Sequence, residues 1–243
     1  MHRFALCGAV ALATILGSVP FAHSAIISGD IIRLGNSPGG PGGLLDVSKS
    51  GDPTVLFQTF CSHVYEDLDF NTDYLAIISD VTDPDSRPVG PLAAWLYTQF
   101  LRQSVDQLPG FDFNLITPAS NANATANKQA RALQLGVWLG MGFTEQEIKF
   151  NAGWSTSFVE DLMTSYLQSW LANFALSGWE ESNYIGRIRI LNLYGRDQFG
   201  NFTVNIQDQL IEIPEPGSAI LFGIVATCAL FTRVGNPRKG RRS

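Results

Sequence analysis

Charge is scarce in this chain. Only 16% of its 243 residues are Asp, Glu, Lys or Arg, against the quarter or so of an ordinary globular protein. Histidine and cysteine are scarcer still, at three each. A single His and a single Cys remain once the two ends are set aside, which is no ligand set for zinc. The apolar fraction, 45%, is ordinary, so general disorder is excluded. Basic residues are also badly distributed. Between residues 25 and 215 there are 10 Lys and Arg against all 22 Asp and Glu, a charge of −12, while Arg233, Arg238, Lys239, Arg241 and Arg242 crowd the C-terminus. An acidic body repels phosphate backbones, which excludes nucleic acid as a partner.

What is present at the two ends reads as addressing. Residues 1–25 carry a basic Arg3, an apolar run from Phe4 to Leu16 and the small-residue pattern Ala22-His23-Ser24. That is the anatomy of a cleaved secretory signal peptide, with the cut expected after Ser24 or Ala25. The run is too short for a comfortable membrane span. Near the other end, Pro214-Glu215-Pro216 precedes an apolar run from Ala219 to Phe231 and then the basic cluster. A polar break, an apolar stretch and cations form a stop-transfer arrangement, short enough to serve as a temporary tether that is later cut away. This tail resembles the PEP-CTERM sorting signal, with Pro214, Glu215, Pro216, the hydrophobic helix and the terminal basic residues in order. The resemblance implies an exosortase-type membrane protease as partner, transient inner-membrane anchoring, and delivery to the cell surface or its extracellular polysaccharide.

With Cys7 in the leader and Cys228 in the tail, the mature chain keeps only Cys61. An exported protein with one cysteine forms no internal disulfide. The thiol is buried and inert, a nucleophile, or capped by other chemistry. Cys61 closes the apolar run Thr54 to Cys61, which reads as a buried strand. Gln134 lies within Ala130 to Met141, where Leu133, Val137 and Met141, with Trp138, recur at helical spacing. A buried amide without a partner costs about 1–3 kcal/mol, so a core-facing amide and a core thiol each need a partner. Each can serve the other.

Phe60-Cys61-Ser62 and Gln134-Leu135-Gly136-Val137-Trp138 resemble the two signatures of the internal-thioester domains of bacterial surface adhesins, Ser62 standing where an apolar residue is usual. The segment from Pro91 to Phe100, a helix opened by proline, matches the spacer, and the likeness runs from about Ile26 to Ile213. It implies a crosslink between the Cys61 sulfur and the Gln134 side-chain carbonyl, formed with loss of ammonia and supported by Phe60, Val137 and Trp138. A surface amine or hydroxyl, from protein or polysaccharide, would then attack the acyl carbon and leave the protein covalently attached through Gln134. This is single-turnover binding and not enzymatic catalysis, and it uses no cofactor and no metal. His63, two residues from Cys61, suits a proton shuttle or an ordinary strand-end histidine. Strand side chains two apart stand about 6.5 Å from each other, too far for a Cys–His dyad.

Other chemistries lack their context. Gly35-Asn36-Ser37-Pro38-Gly39 has the letters of a hydrolase elbow, but Pro38 stands where a helix must begin, inside a Gly/Pro-rich loop over 35–43. The same glycines lack the lysine of a phosphate loop. Asp80, Asp83 and Asp85 form no calcium loop and read as a solvated turn. Strands are expected at 26–34, 54–61, 75–78, 185–193 and 202–213, and helices at 91–103, 128–139, 145–151 and 156–174. The last helix carries rows Phe158, Leu162, Tyr166, Trp170, Phe174 and Val159, Met163, Leu167, Leu171, with Thr117 to Asn127 a polar loop. No internal repeat is present. The expected fold is α+β: a single mixed domain, residues 26–213, with short antiparallel strands and a helical subdomain. The cleaved signal peptide, 1–25, and the C-terminal sorting helix, 214–243, flank it. The function expected is a surface-sorted thioester adhesin; the alternative is a noncovalent structural component of the exopolysaccharide matrix with Cys61 buried and unreacted.

Overall fold

A computed structural model describes residues 26–36, 43–64, 68–70, 72–83, 85–116, 123–179 and 187–213. The leader and the sorting tail lie outside the described residues, as does Ser37. The fold is mixed α+β, built on a seven-stranded antiparallel sheet. Its strands are β1 (Ile31–Asn36), β2 (Leu44–Lys49), β3 (Phe57–Phe60), β4 (Asp73–Ser79), β5 (Ile188–Arg196), β6 (Phe202–Asn205) and β7 (Gln209–Glu212). The order is β3-β2-β1-β4-β5, with β6 and β7 both on the far edge of β5.

The two ends of this sheet then meet. Cys61, just past β3, bridges Gln209 at the start of β7, and the Ser62 N–H donates to the Asp208 carbonyl at 2.8 Å. The Thr59 hydroxyl donates to the Leu210 carbonyl across the same seam. Cys61 therefore sits where the sheet closes on itself, with strands on both sides.

The helices are α1 (Pro91–Leu101), α2 (Ala124–Gly140), α3 (Glu145–Asn151), α4 (Thr156–Leu162) and α5 (Gln168–Leu176), with a π turn at Met163–Leu167 joining the last two. Pro91 pre-sets the first turn of α1. Asn123 caps α2 by accepting from the N–H groups of Thr125 and Ala126. Thr144 and Glu147 close α3 with a reciprocal capping box. In α2 every residue from Ala132 to Trp138 is buried, so this helix is the centre of the helical layer and not a half-wet surface element. Each of its buried leucines contributes about 1.5–3 kcal/mol through the water it sheds.

Glycine sets the spacing of α1 and α2. A Cβ at Gly136 would stand 2.6 Å from Leu96 Cδ1 and 2.8 Å from Leu167 Cδ1, and one at Gly140 would stand 2.9 Å from Ala93 Cα. The helix propensity lost at Gly136 is thus exchanged for close approach of three elements.

Several boundaries differ from the sequence expectation. β2 was not expected: Leu44, Leu45 and Val47 are buried in it, but its six residues follow directly on Gly43, the end of the Gly/Pro-rich run. β1 starts at Ile31 because a turn at Ser28-Gly29, with Gly29 at φ 100°, precedes it. Residues 54–56 are not strand, and the expected strand over 202–213 is two, broken at Ile206 to Asp208. α2 begins at Ala124 and not Lys128, because Asn123 supplies the cap inside what reads as a polar loop. The rows along 156–174 do not run straight either. Leu162 and Leu167 are both fully buried, five residues apart, a spacing that the π turn accommodates. In β5, residues Ile190 to Leu193 are buried without interruption, because the strand is central. Among the described residues no helix is long and apolar enough to cross a membrane.

Candidate functional site

The seam and the central helix meet at Cys61. Its main-chain N–H donates to Gln134 Oε1 at 2.9 Å, and its carbonyl accepts from Gln134 Nε2 at 2.6 Å. Gln134 is fully buried and Cys61 is 1% exposed, so both ends of the carboxamide are satisfied by one residue, 73 positions away in the chain. Each of these contacts spares a buried polar group a desolvation cost of about 1–3 kcal/mol.

The neighbours hold strand and helix in place. Phe60 packs edge-on against Phe100 at 5.1 Å and Tyr97 at 6.4 Å, both on α1. Trp138, one turn beyond Gln134, lies 5.3 Å from Trp154, and Val137 is fully buried. Trp138 Nε1 and Ser62 Oγ are buried without a hydrogen-bond partner. The sequence-selected residues Phe60, Cys61, Gln134, Val137 and Trp138 thus lie in one buried region.

Three further side chains reach this region. Gln209 Nε2 lies 3.7 Å from Cys61 Sγ and also donates to the Gln207 carbonyl at 3.2 Å. Gln207 Nε2 donates to the His63 carbonyl at 2.9 Å. Asp208 accepts from the Asp83 N–H at 2.7 Å, and Tyr194 donates its hydroxyl to Asp83 at 2.8 Å. Gln207, Asp208 and Gln209 were hidden in the sequence by the reading of 202–213 as one strand. The signal was there: three consecutive polar residues, Gln207, Asp208 and Gln209, break the apolar–polar alternation that runs from Phe202 to Ile206.

His63 is buried, with Nε2 3.2 Å from Asp85 Oδ2 and its ring edge-on to Phe143 at 5.4 Å. Arg87 pairs with Asp85 and stacks 4.0 Å over Phe143. Burial holds the His63 pKa below its ordinary value, with Asp85 pulling the other way. The acidic turn is not simply solvated. Asp80 pairs with Arg189, Asp83 joins Tyr194, and Asp85 joins Thr82, Arg87 and His63. Among the described residues no group of three His, Cys, Asp or Glu side chains is placed to hold a metal ion.

Chemically, the arrangement brings a thiol-bearing residue against a carboxamide in a water-excluded site. The Cys61 N–H on Gln134 Oε1 is a donor placed where negative charge would develop if the carbonyl carbon were attacked. Burial pushes the Cys61 thiol up to about 12, against the opposing pull of Gln209. The sulfur is therefore a neutral thiol at neutral pH. No protein-family model matches this chain, and no curated protein or solved structure matches it.

Proposed function

We propose that this is an exported, surface-sorted protein that attaches covalently to a neighbouring surface through an internal thioester between Cys61 and Gln134. The observation that carries the reading is the two-point hydrogen bonding of the Gln134 carboxamide by the main chain of Cys61. Strand and helix hold the carboxamide at the Cys61 main chain, and fixed placement of this kind is what favours such a condensation. In the forming step, Sγ bonds to Gln134 Cδ, the Cδ–Nε2 bond breaks, and the thiol proton leaves with nitrogen as ammonia. In the attaching step, an amine or hydroxyl on the target bonds to Cδ, the C–S bond breaks, and the proton returns to sulfur. The enclosed site protects the acyl group from water until a target arrives. The leader and the Pro214-Glu215-Pro216 tail support export and exosortase sorting, and neither lies among the described residues.

A second reading has its own observation. The carboxamide and the Cys61 main chain satisfy each other with no reaction at all, and the thiol pKa is high. On that reading the pair is a structural latch in a noncovalent matrix component. Methylamine decides between them. The thioester reading expects one methylamide, mapped by peptide sequencing to Gln134, and one new titratable thiol at Cys61. No uptake by wild type, or equal uptake by Cys61→Ala, leaves only the latch. The sorting part stands separately: Glu215→Ala should keep the chain full-length in cells with an active exosortase, and a full-length wild type in those cells contradicts it.

A further inference from the structure

Gln209 is fully buried, and its carboxamide touches the sulfur while the rest of the Cys61 residue is held by Gln134. Its Nε2 lies 3.7 Å from Sγ, and its Oε1 is buried with no hydrogen-bond partner. An unpaired buried amide oxygen costs free energy that no part of the fold recovers. The side chain is nevertheless kept in place, because Nε2 also binds the Gln207 carbonyl and residue 209 is paired opposite Cys61 across the seam. An amide held this way has one side on the sulfur and an open acceptor beside it.

We propose that Gln209 is the positioning residue for the sulfur. It donates to Sγ as charge appears there, and it offers Oε1 to an N–H of the amine that enters or the ammonia that leaves. This deepens the thioester reading and rests on it for the acyl step. When an amine attacks Gln134 Cδ, the C–S bond breaks and its electron pair moves to Sγ, which then takes the proton released by the amine nitrogen. A hydrogen bond to a charged partner is stronger than one to a neutral partner. The N–H of Gln209 thus contributes most when the sulfur is anionic, which is in the breaking of the bond and not in the resting ester.

The test uses Gln209→Met, which keeps length and removes the donor, with Gln209→Leu as a second apolar variant and circular dichroism to verify the fold. In the first arm, methylamine uptake at Gln134 is timed. Loss of the donor should slow it roughly ten- to a hundred-fold. In the second arm, the free Cys61 thiol, in unreacted or methylamine-opened protein, is alkylated with iodoacetamide from neutral to mildly alkaline pH. The rate should fall at every pH with its pH slope unchanged, because the thiolate fraction falls. A purely structural role for Gln209 gives the opposite sign in both arms, since a loosened seam admits reagent faster. Unchanged or faster rates, or failure of both variants to fold, overturn the proposal, and a methylamide found on Gln209 overturns it as well. The arms also separate the two claims. If wild type takes up no methylamine, the thioester reading fails, while slower alkylation in the variants still assigns the sulfur to Gln209.

Discussion

Opening the proposed thioester with methylamine should lower the melting temperature of the protein by a predictable amount. Cys61 and Gln134 are 73 positions apart. A covalent link across that separation removes loop-closure entropy from the unfolded chain worth about 4 kcal/mol. In a domain of this size each kcal/mol moves the midpoint by about 2–4 °C, so the loss should be about 8–16 °C. Cys61→Ala never forms the link and should melt lower by a similar amount, plus the packing of one buried sulfur, about 1 kcal/mol. Methylamine should leave that variant where it is. Differential scanning calorimetry of the four samples, wild type and variant with and without methylamine, reads all of this at once. If the pair is only a hydrogen-bonded latch, Cys61→Ala loses the sulfur packing alone and methylamine shifts neither protein. A treated wild type that melts within about 2 °C of the untreated one refutes the covalent account.

Gln134→Leu keeps the side-chain volume but strands the N–H and carbonyl of Cys61 in the core, at about 1–3 kcal/mol each. Urea denaturation should place it below a thiol-free Cys61→Ala background, and an equal midpoint would mean the amide is not holding the seam. Gly140→Ala should destabilise by about 1–3 kcal/mol despite the better helix former, because its Cβ runs into the main chain of Ala93; chemical denaturation reporting a gain would contradict the close crossing of α1 and α2. His63 gives a pH prediction. Burial depresses its pKa, so the unfolded chain binds the proton first, and this contribution is full above pH 6.5 and lost as pH falls through the lower folded value. Melting temperatures followed downward through that range should decline, with a shallower slope in His63→Gln. The same slope in both proteins would assign it to carboxylates such as Asp85, which titrate lower.

The sequence was most legible where one physical signal dominated. Pro91 at a first turn marked α1, and α3 falls on the expected boundaries, 145–151. The strand expected at 75–78 lies inside β4, two residues short at its start and one at its end. Misreadings came where two signals competed. Asn123 looked like part of a polar loop and is a helix cap. The π turn was invisible because a regular period of four also fits Phe158 to Phe174. Cys61 and Gln134 could be singled out because each was a polar or reactive group in an apolar run, and the fold sets the Cys61 main chain against the Gln134 carboxamide. Gln209 could not, because its role depends on the sheet closing, and a single bridge between strands far apart in sequence leaves no local pattern.

The most direct measurement is the intact mass of the purified protein, compared with that of its Cys61→Ala variant. The account predicts that wild type is lighter than its processed sequence by one ammonia, and that the variant matches its own sequence mass. A wild type at full sequence mass, with the Cys61 thiol free on denaturation, contradicts it.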